Sequence, residues 1–376
     1  MKKALITASV FGFIGSFEKS NINILLKQGY EVHVASNMSS ELKAFGDIGQ
    51  LDGIDVIKHQ ITYNRSPLSL QTIKSYKEIK KLIEEEKFDL IHCHTPVAAM
   101  LTRLAARKVR KKGTKVIYTA HGFHFFKGAS ILSWLIYFPV EYICSIFTDI
   151  LITINQEDYQ LAKRFMKTKK VEYVPGVGIE VEKFKSIRLD RDNKREELGI
   201  PKGSILLLSV GELSKRKNHQ VVIEALSLLN DSRIHYCIAG QGDLEEYLNN
   251  KIGLLGLQNQ VHLLGYRKDI SEICKCADAF LFPSLQEGLP VALMEAMACG
   301  LPIICSKIRG NVDLIQVNKG GILCEKNDEW LFQNSIKSLI DDENLRLSMK
   351  ERNLEYIKKF DIEIIRLKME GIYLIE

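Results

Sequence analysis

The chain has 376 residues, 46% of them hydrophobic and 26% charged, a balance that fits a folded globular protein and excludes a disordered one. That length is more than one ordinary core needs and suits two domains of about 100–200 residues each. The net charge of +6 is uneven: residues 1–186 hold 27 Lys and Arg against 18 Asp and Glu, and the remainder is mildly acidic, so an anionic surface (phosphates, nucleic acid or a membrane leaflet) would meet the first half.

In chain order, KALITA (3–8), YEVHVAS (30–36), DLIHCH (89–94), KVIYTA (115–120), DILITI (149–154) and VEYV (171–174) read as short strands, with amphipathic stretches such as 70–86 and 96–112 between them. Strands alternating with helices predict a parallel, doubly wound α/β sheet. Residues 180–203 are charged and carry no strand, so the pattern divides into a first domain over 1–185, a linker over 186–203 and a second domain over 204–360. The second series is SILLLSVG (204–211), RIHYCIAG (233–240), VHLLG (261–265), AFLFPS (279–284) and PIICS (302–306). Two Rossmann-like domains in tandem are expected, with a C-terminal helix over 361–376 returning to the first.

The eight cysteines form no C-x-x-C and mostly lie in apolar runs, as expected of buried free thiols in a reducing compartment. No signal peptide is apparent, and the longest apolar segment, ILSWLIYFPV (131–140), is interrupted by Pro139 and followed by Glu141. It is far short of the roughly 20 residues a spanning helix needs. The expected location is the cytoplasm.

After the first strand, SVFGFIGS (9–16) reads as a nucleotide-binding glycine turn. A dinucleotide fingerprint needs three glycines and an acid at the end of the second strand. Gly12 and Gly15 supply two, Ser9 stands where the first belongs, and the second strand ends in Ala35-Ser36-Asn37. Tyr76 and Lys80 match Y-x-x-x-K only within a highly charged helix where such spacing arises by chance. These absences exclude a nicotinamide enzyme.

The second half carries the more specific constellation. In LQEGLPVALMEAMACG (285–300), Gly288 loosens the turn, Leu289 follows it and Pro290 suits the first helical position. Val291 to Cys299 then reads as a short buried helix stopped by Gly300 and Pro302. Glu287 lies in the loop before it and Glu295 more than a turn inside it, among Ala, Leu and Met. A carboxylate in such surroundings needs a partner, and the helix start offers free N–H groups to an anion. The set fits a nucleotide-diphosphate sugar: one acid for sugar hydroxyls, the helix end for the diphosphate, the other acid for ribose.

Other strand ends point the same way, at the edge where doubly wound folds bind ligands. GELSKRKN (211–218) places Arg216 and Lys217 where cations would stabilise a leaving diphosphate. Gly240 and Gly242 follow the next strand, and Arg267, in GYRKD (265–269), the one after. In the first half, His121 directly follows a strand end. His92 and His94 point the same way along another strand, but no further ligand cluster is evident and no zinc site is expected. Asp190 and Asp192 match D-x-D only inside the charged linker.

On HCHTPVAA (92–99), YTAHGFHFFKG (118–128), GELSKRKNH (211–219) and EGLPVALMEAMACGLPII (287–304), the chain resembles, over essentially its whole length, the retaining GT-B glycosyltransferases with an E-x7-E motif (glycosyltransferase family 4), closest to the bacterial exopolysaccharide and capsule type. The resemblance implies two facing Rossmann-like domains, acceptor mainly on the first and sugar nucleotide mainly on the second. It implies Glu287 as donor-sugar carboxylate, Glu295 as ribose ligand, Lys217 with Arg216 as diphosphate clamp, His121 as the cleft histidine, and Gly15 as the glycine approaching the diphosphate. Glu212 stands where many members have Arg, so phosphate binding leans on Arg216 and Lys217.

The expected reaction is transfer, with retention, of a hexose or N-acetylhexosamine from a UDP-sugar to a saccharide or polyprenyl-diphosphate-linked acceptor. No metal or other cofactor is expected, and no nucleic acid, because no recognised module accompanies the basic half. Arg103, Arg107, Lys108, Arg110, Lys111 and Lys112, with the aromatic Trp134–Phe138 stretch, suit peripheral contact with an anionic leaflet. A sugar-nucleotide epimerase and a non-catalytic sugar-nucleotide-binding partner remain alternatives.

Overall fold

The computed structural model describes residues 1–39, 51–64, 69–315 and 319–374. They fall into two units, Met1–Val177 with Glu363–Glu376, and Gly178–Ile362. The first holds a seven-stranded parallel sheet: β1 (Lys2–Val10), β2 (Tyr30–Asn37), β3 (Ile57–Gln60), β4 (Leu90–His94), β5 (Lys115–Ala120), β6 (Ile150–Thr153) and β7 (Lys170–Tyr173), in the order β3-β2-β1-β4-β5-β6-β7. The two-residue period of the strands divides the core between the faces. Ile6, Val34 and Leu90 pack with Ile365, Met369 and Ile372 of the C-terminal helix Ile362–Leu374. Leu5, Ile91 and Val116 pack with Ile79, Ile83 and Leu101, from helices Leu70–Glu86 and Pro96–Arg110.

The second unit holds a six-stranded parallel sheet: β8 (Ile205–Val210), β9 (Ile234–Ala239), β10 (Val261–Gly265), β11 (Ala279–Phe282), β12 (Ile303–Ser306) and β13 (Gly321–Cys324), in the order β10-β9-β8-β11-β12-β13. The chain winds outward from β8 to β10 and then returns to β11. The order therefore reverses between β8 and β11, which leaves a crevice at their carboxyl ends.

Several expectations are adjusted. β3 and β13 were not foreseen; both are four-residue edge strands, too short for a period. The stretch around Gly12 and Gly15 is not an open turn, because β1 runs to Val10 and Phe11–Phe17 is helical. Burial of Phe11, Phe13 and Ile14 drives that helix against the sheet. Pro139 does not end its segment; helix Ile131–Ser145 passes through it.

The units divide between Val177 and Gly178, ahead of residue 185. Residues 186–203, expected as a free linker, belong to the second unit. Asp190 caps helix Arg191–Glu197 by accepting from the amides of Asp192 and Asn193 at 3.0 and 3.2 Å. Arg195 donates to Asp278 at 2.6 Å and to the carbonyls of Cys276 and Ser204 at 2.9 Å each. Asp190 thus serves as a helix cap.

Arg103 is not part of the exposed basic helix end. It is 1% exposed, donates to Glu141 at 2.8 Å and to the carbonyl of Ala99 at 3.0 Å, and lies over the Tyr118 ring at 3.9 Å. Removing one member of a buried ion pair strands the other charge. Glu141→Ala is therefore expected to cost about 3–5 kcal/mol, read as a lower urea midpoint of the transition followed by circular dichroism. A shift within error of wild type would show the pair to be dispensable.

Candidate active site

In the second unit, three loops at the carboxyl ends of β8, β11 and β12 are tied together. Both Lys217 Nζ and Arg216 Nη1 donate to Oε1 of Glu287 at 2.8 Å, and Arg216 also reaches the carbonyl of Gln286 at 3.3 Å. The amide of Leu285 donates to the carbonyl of Arg216 at 2.8 Å. From the β12 loop, Arg309 Nε donates to the carbonyl of Glu287 at 3.1 Å. Lys217 lies 4.6 Å above the ring of Phe282. Burial lowers its pKa, and Glu287 opposes that shift.

Glycine makes this packing possible. A Cβ on Gly240 would lie 1.9 Å from the carbonyl oxygen of Gly211, and one on Gly242 would lie 2.5 Å from that of Leu213. Gly310, at φ +78°, passes so close to Gly288 that a Cβ would sit 2.2 Å from its carbonyl oxygen. Only glycine fits such approaches. Arg309 and Gly310 escaped the sequence reading, although the same signal, chemistry immediately after a strand, marks them.

Helix Val291–Ala298 starts at the same place. Pro290 is its N-cap rather than its first residue, and no side chain caps it. Leu289 is buried beside it. Among the described residues the Glu295 carboxylate makes no hydrogen bond or ion pair. Burial pushes its carboxyl up to about 7, with Lys183 pulling the other way. The partner that its setting demands is thus missing among the described residues. Arg267 is otherwise engaged, bonded to Asp269 at 2.8 and 2.6 Å and to Glu197 at 2.7 Å.

The first unit gathers a histidine cluster where β4 and β5 end. His121 Nε2 lies 3.1 Å from His94 Nδ1, and the His92 and His94 ring centroids are 4.1 Å apart. The His92 nitrogens meet the Tyr373 hydroxyl and Thr119 Oγ1, each at 2.8 Å. Burial lowers His121 to about 4 and His92 to about 3. Phe13 stands edge-on to His121 at 4.9 Å. Glu18, His92 and His94 bring ligand atoms within 4.8 Å of one another, but both His92 nitrogens already have protein partners. Gly15 lies buried inside helix Phe11–Phe17.

Residues 190–356 match the family model "Glycosyl transferases group 1", and residues 15–155 match "Glycosyl transferase 4-like". Glycosyltransferase EpsD of Bacillus subtilis (strain 168) is 35% identical over 342 residues, covering 90% of this chain and 87% of that protein. The chain belongs to the glycosyltransferases. An Escherichia coli relative, named UDP-Gal:alpha-D-GlcNAc-diphosphoundecaprenol alpha-1,3-galactosyltransferase, is 31% identical over 312 residues, covering 81% of this chain and 80% of that enzyme. The structure of Anabaena HepE in complex with UDP and glucose superposes with a TM-score of 0.81 at 19% identity, covering both chains fully. The glycosyltransferase thus has the two parallel-sheet α/β domains of the GT-B fold.

The unpaired Glu295 of this glycosyltransferase makes its stability depend on pH. Its folded-state pKa of about 7 lies above the ordinary 4.5, so the folded protein holds the proton more tightly than the unfolded chain. The contribution to stability falls as pH rises from about 4.5 to about 7 and is level beyond. Glu295→Gln should therefore be nearly neutral near pH 4.5 and stabilising above pH 7 by on the order of 1–3 kcal/mol. Thermal melts across that range test this, and a pH-independent difference would contradict it.

Proposed function

We propose that this glycosyltransferase moves a hexose or N-acetylhexosamine from a UDP-sugar to a polyprenyl-diphosphate-linked or free saccharide, with retention of anomeric configuration, in surface-polysaccharide synthesis. One observation carries the reading. Glu287, with Lys217 and Arg216 both bonded to it at 2.8 Å, adjoins the uncapped start of the helix that bears the unpartnered Glu295. Glu287 would orient the sugar hydroxyls. The helix start, Lys217 and Arg216 would hold the diphosphate, with Gly240, Gly242, Gly288 and Leu289 shaping the floor, and Glu295 would take the ribose.

In the proposed step the anomeric C1–O bond breaks and its electron pair goes to the UDP phosphate. The acceptor oxygen bonds C1 on the same face, and its proton passes to that leaving phosphate oxygen. Lys217 and Arg216 stabilise the growing phosphate charge, so no metal is called for. No carboxylate becomes a nucleophile, unlike the paired acids of retaining glycosidases.

Glu287→Ala and Lys217→Ala should each lower transfer at least 100-fold, with folding intact by circular dichroism. EDTA should leave the wild type unaffected, and proton NMR of the product should show the donor's anomeric configuration. Near-wild-type turnover in either variant, or inversion, would refute the assignment. The magnitude follows the loss of one charge-stabilising donor, about 10²–10³ in rate.

For the acceptor, a cavity of about 390 Å³ in the first unit is lined by Phe13, Pro96, Met100, Phe123, Ile136 and Tyr137 among others. Helix Ile131–Ser145 leaves Ile131, Leu132, Leu135 and Ile136 exposed beside it, whereas Trp134, Tyr137 and Phe138 pack inward. It is therefore the aliphatic residues, rather than the aromatic ones, that could enter a lipid surface. Arg107, Lys108, Lys111 and Lys112 stay exposed at the end of the neighbouring helix, while Arg110 pairs with Asp149. This combination suits peripheral binding to an anionic leaflet; among the described residues no helix is long and apolar enough to cross a membrane. The protein should co-sediment with liposomes containing anionic lipid in a salt-sensitive manner. The double variant Leu132→Asp/Leu135→Asp should weaken this roughly tenfold or more, and equal binding to neutral liposomes at high salt would contradict it.

A further inference from the structure

A cavity of about 490 Å³ in the second unit takes no part in the site described above. It lies between the loop after β8 and the helices Gln220–Leu229 and Glu245–Leu254. None of Arg216, Lys217, Glu287 and Glu295 lines it, and every residue that does belongs to the second unit. The loop over 214–219 has two faces. Lys217 Nζ turns to Glu287 and to the Phe282 ring, whereas Ser214, Lys215, Asn218 and His219 form a wall of the cavity.

The lining is neither apolar nor strongly charged. Glu224 pairs with Lys251, and among the described residues Lys215 forms no ion pair, which leaves one uncompensated cation at an exposed position. A diphosphate would need more positive charge than that. A wholly apolar ligand would strip water from the amides of Gln220 and Asn327 with nothing in return. A neutral ligand, polar at its edge and apolar on its faces, meets neither objection. Leu244 and Leu248 give the cavity its apolar part, and the Tyr247 ring beside them is 46% exposed. The Tyr247 hydroxyl donates to Gln220 Oε1 at 2.9 Å. Asn218 Nδ2 donates to Asn327 Oδ1 at 3.1 Å and to the Pro283 carbonyl at 3.4 Å. Both asparagines have left-handed backbone, at φ 54° and 58°, a conformation that asparagine tolerates. These bonds fix the amide groups and leave Gln220 Nε2 and Asn327 Nδ2 as donors without a protein acceptor among the described residues.

We propose that this cavity is a saccharide-binding site, separate from the donor crevice, that holds a neutral hexose or N-acetylhexosamine unit of a glycan. A pyranose ring carries C–H groups on its faces and hydroxyls around its edge. One face fits against the Tyr247 ring and the leucines, and the hydroxyls accept from Gln220 Nε2 and Asn327 Nδ2. Because the protein already holds both amides in place, little rotamer freedom is lost when the ligand enters. The volume falls within the range of small-ligand sites, about 300–1,000 Å³. This binding is independent of the roles proposed for Glu287 and Lys217.

The test uses the full chain with methyl-labelled leucine, titrated with lactose and with N,N'-diacetylchitobiose. At least one of the two should move the methyl signals of Leu244 and Leu248 in a saturable manner, and the shifts should persist with UDP present in excess. Tyr247→Ala should weaken binding roughly tenfold or more, whereas Tyr247→Phe, which keeps the ring, should retain most of it. Tyr247 is half-exposed, and circular dichroism of both variants should match wild type. Four results would each overturn the proposal: no shift with either saccharide, equal affinity in Tyr247→Ala, loss of the shifts on adding UDP, or shifts produced by inorganic phosphate and not by the saccharides. The last would mean that Lys215 reads an anion, and the third that the cavity is part of the donor crevice.

Discussion

One carboxylate oxygen holds two cations. Because Oε1 of Glu287 accepts from both Lys217 and Arg216, the loop after β8 is fastened to the loop after β11 across adjacent strands. The half-buried lysine is held with that countercharge and the Phe282 ring beneath it. The same loop is held from the other side by Arg309 on the Glu287 carbonyl. The glycines at 240, 242 and 310 exist because these backbones are drawn too close for any side chain. The carboxylate and the two cations neutralise one another, so the loops are held together by the protein's own charges.

Much of this was legible in the sequence because the chemistry sits immediately after strands. Arg216, Lys217, Glu287 and Glu295 are each placed by a short apolar run and a helix start, and both signals are local. What the sequence misplaced depends on long-range packing. Arg103 reads as one more base in a cationic helix end, yet Glu141 and Tyr118, distant in sequence, draw it into the core. Arg267 reads as a donor-binding residue, and its guanidinium is paired with Asp269 and Glu197, partners the sequence does not announce. Gly12 and Gly15 read as a turn because glycine usually signals one, whereas the phenylalanines between and around them make the segment a helix packed on the sheet. The charged run 186–203 reads as solvated, but Arg195 reaches a carboxylate and two carbonyls on the second unit, and a linker would have no such obligations.

The histidine cluster shows a different limit. His121 can be found from its place after β5, but its electronic state cannot. That state depends on burial and on His94 of the neighbouring strand, which lies 3.1 Å away, and no local signal announces either. Buried polar groups of this kind act as a unit, so that substituting one changes what its neighbours can donate or accept.

Tyr373 adds a constraint of timing. It belongs to the first unit, where its hydroxyl holds His92, yet it is separated from the rest of that unit by the whole of residues 178–362. A ribosome that has released the first 177 residues has supplied all seven strands of the sheet but not the C-terminal helix that completes the cover of one of its faces. The sheet can assemble early, while one face is only partly covered, by the helices over 11–27, and His92 lacks its Tyr373 contact until the second unit has been made. Completion of the first unit is thereby tied to completion of the second, and a prematurely ended chain would lack the Tyr373 contact of His92.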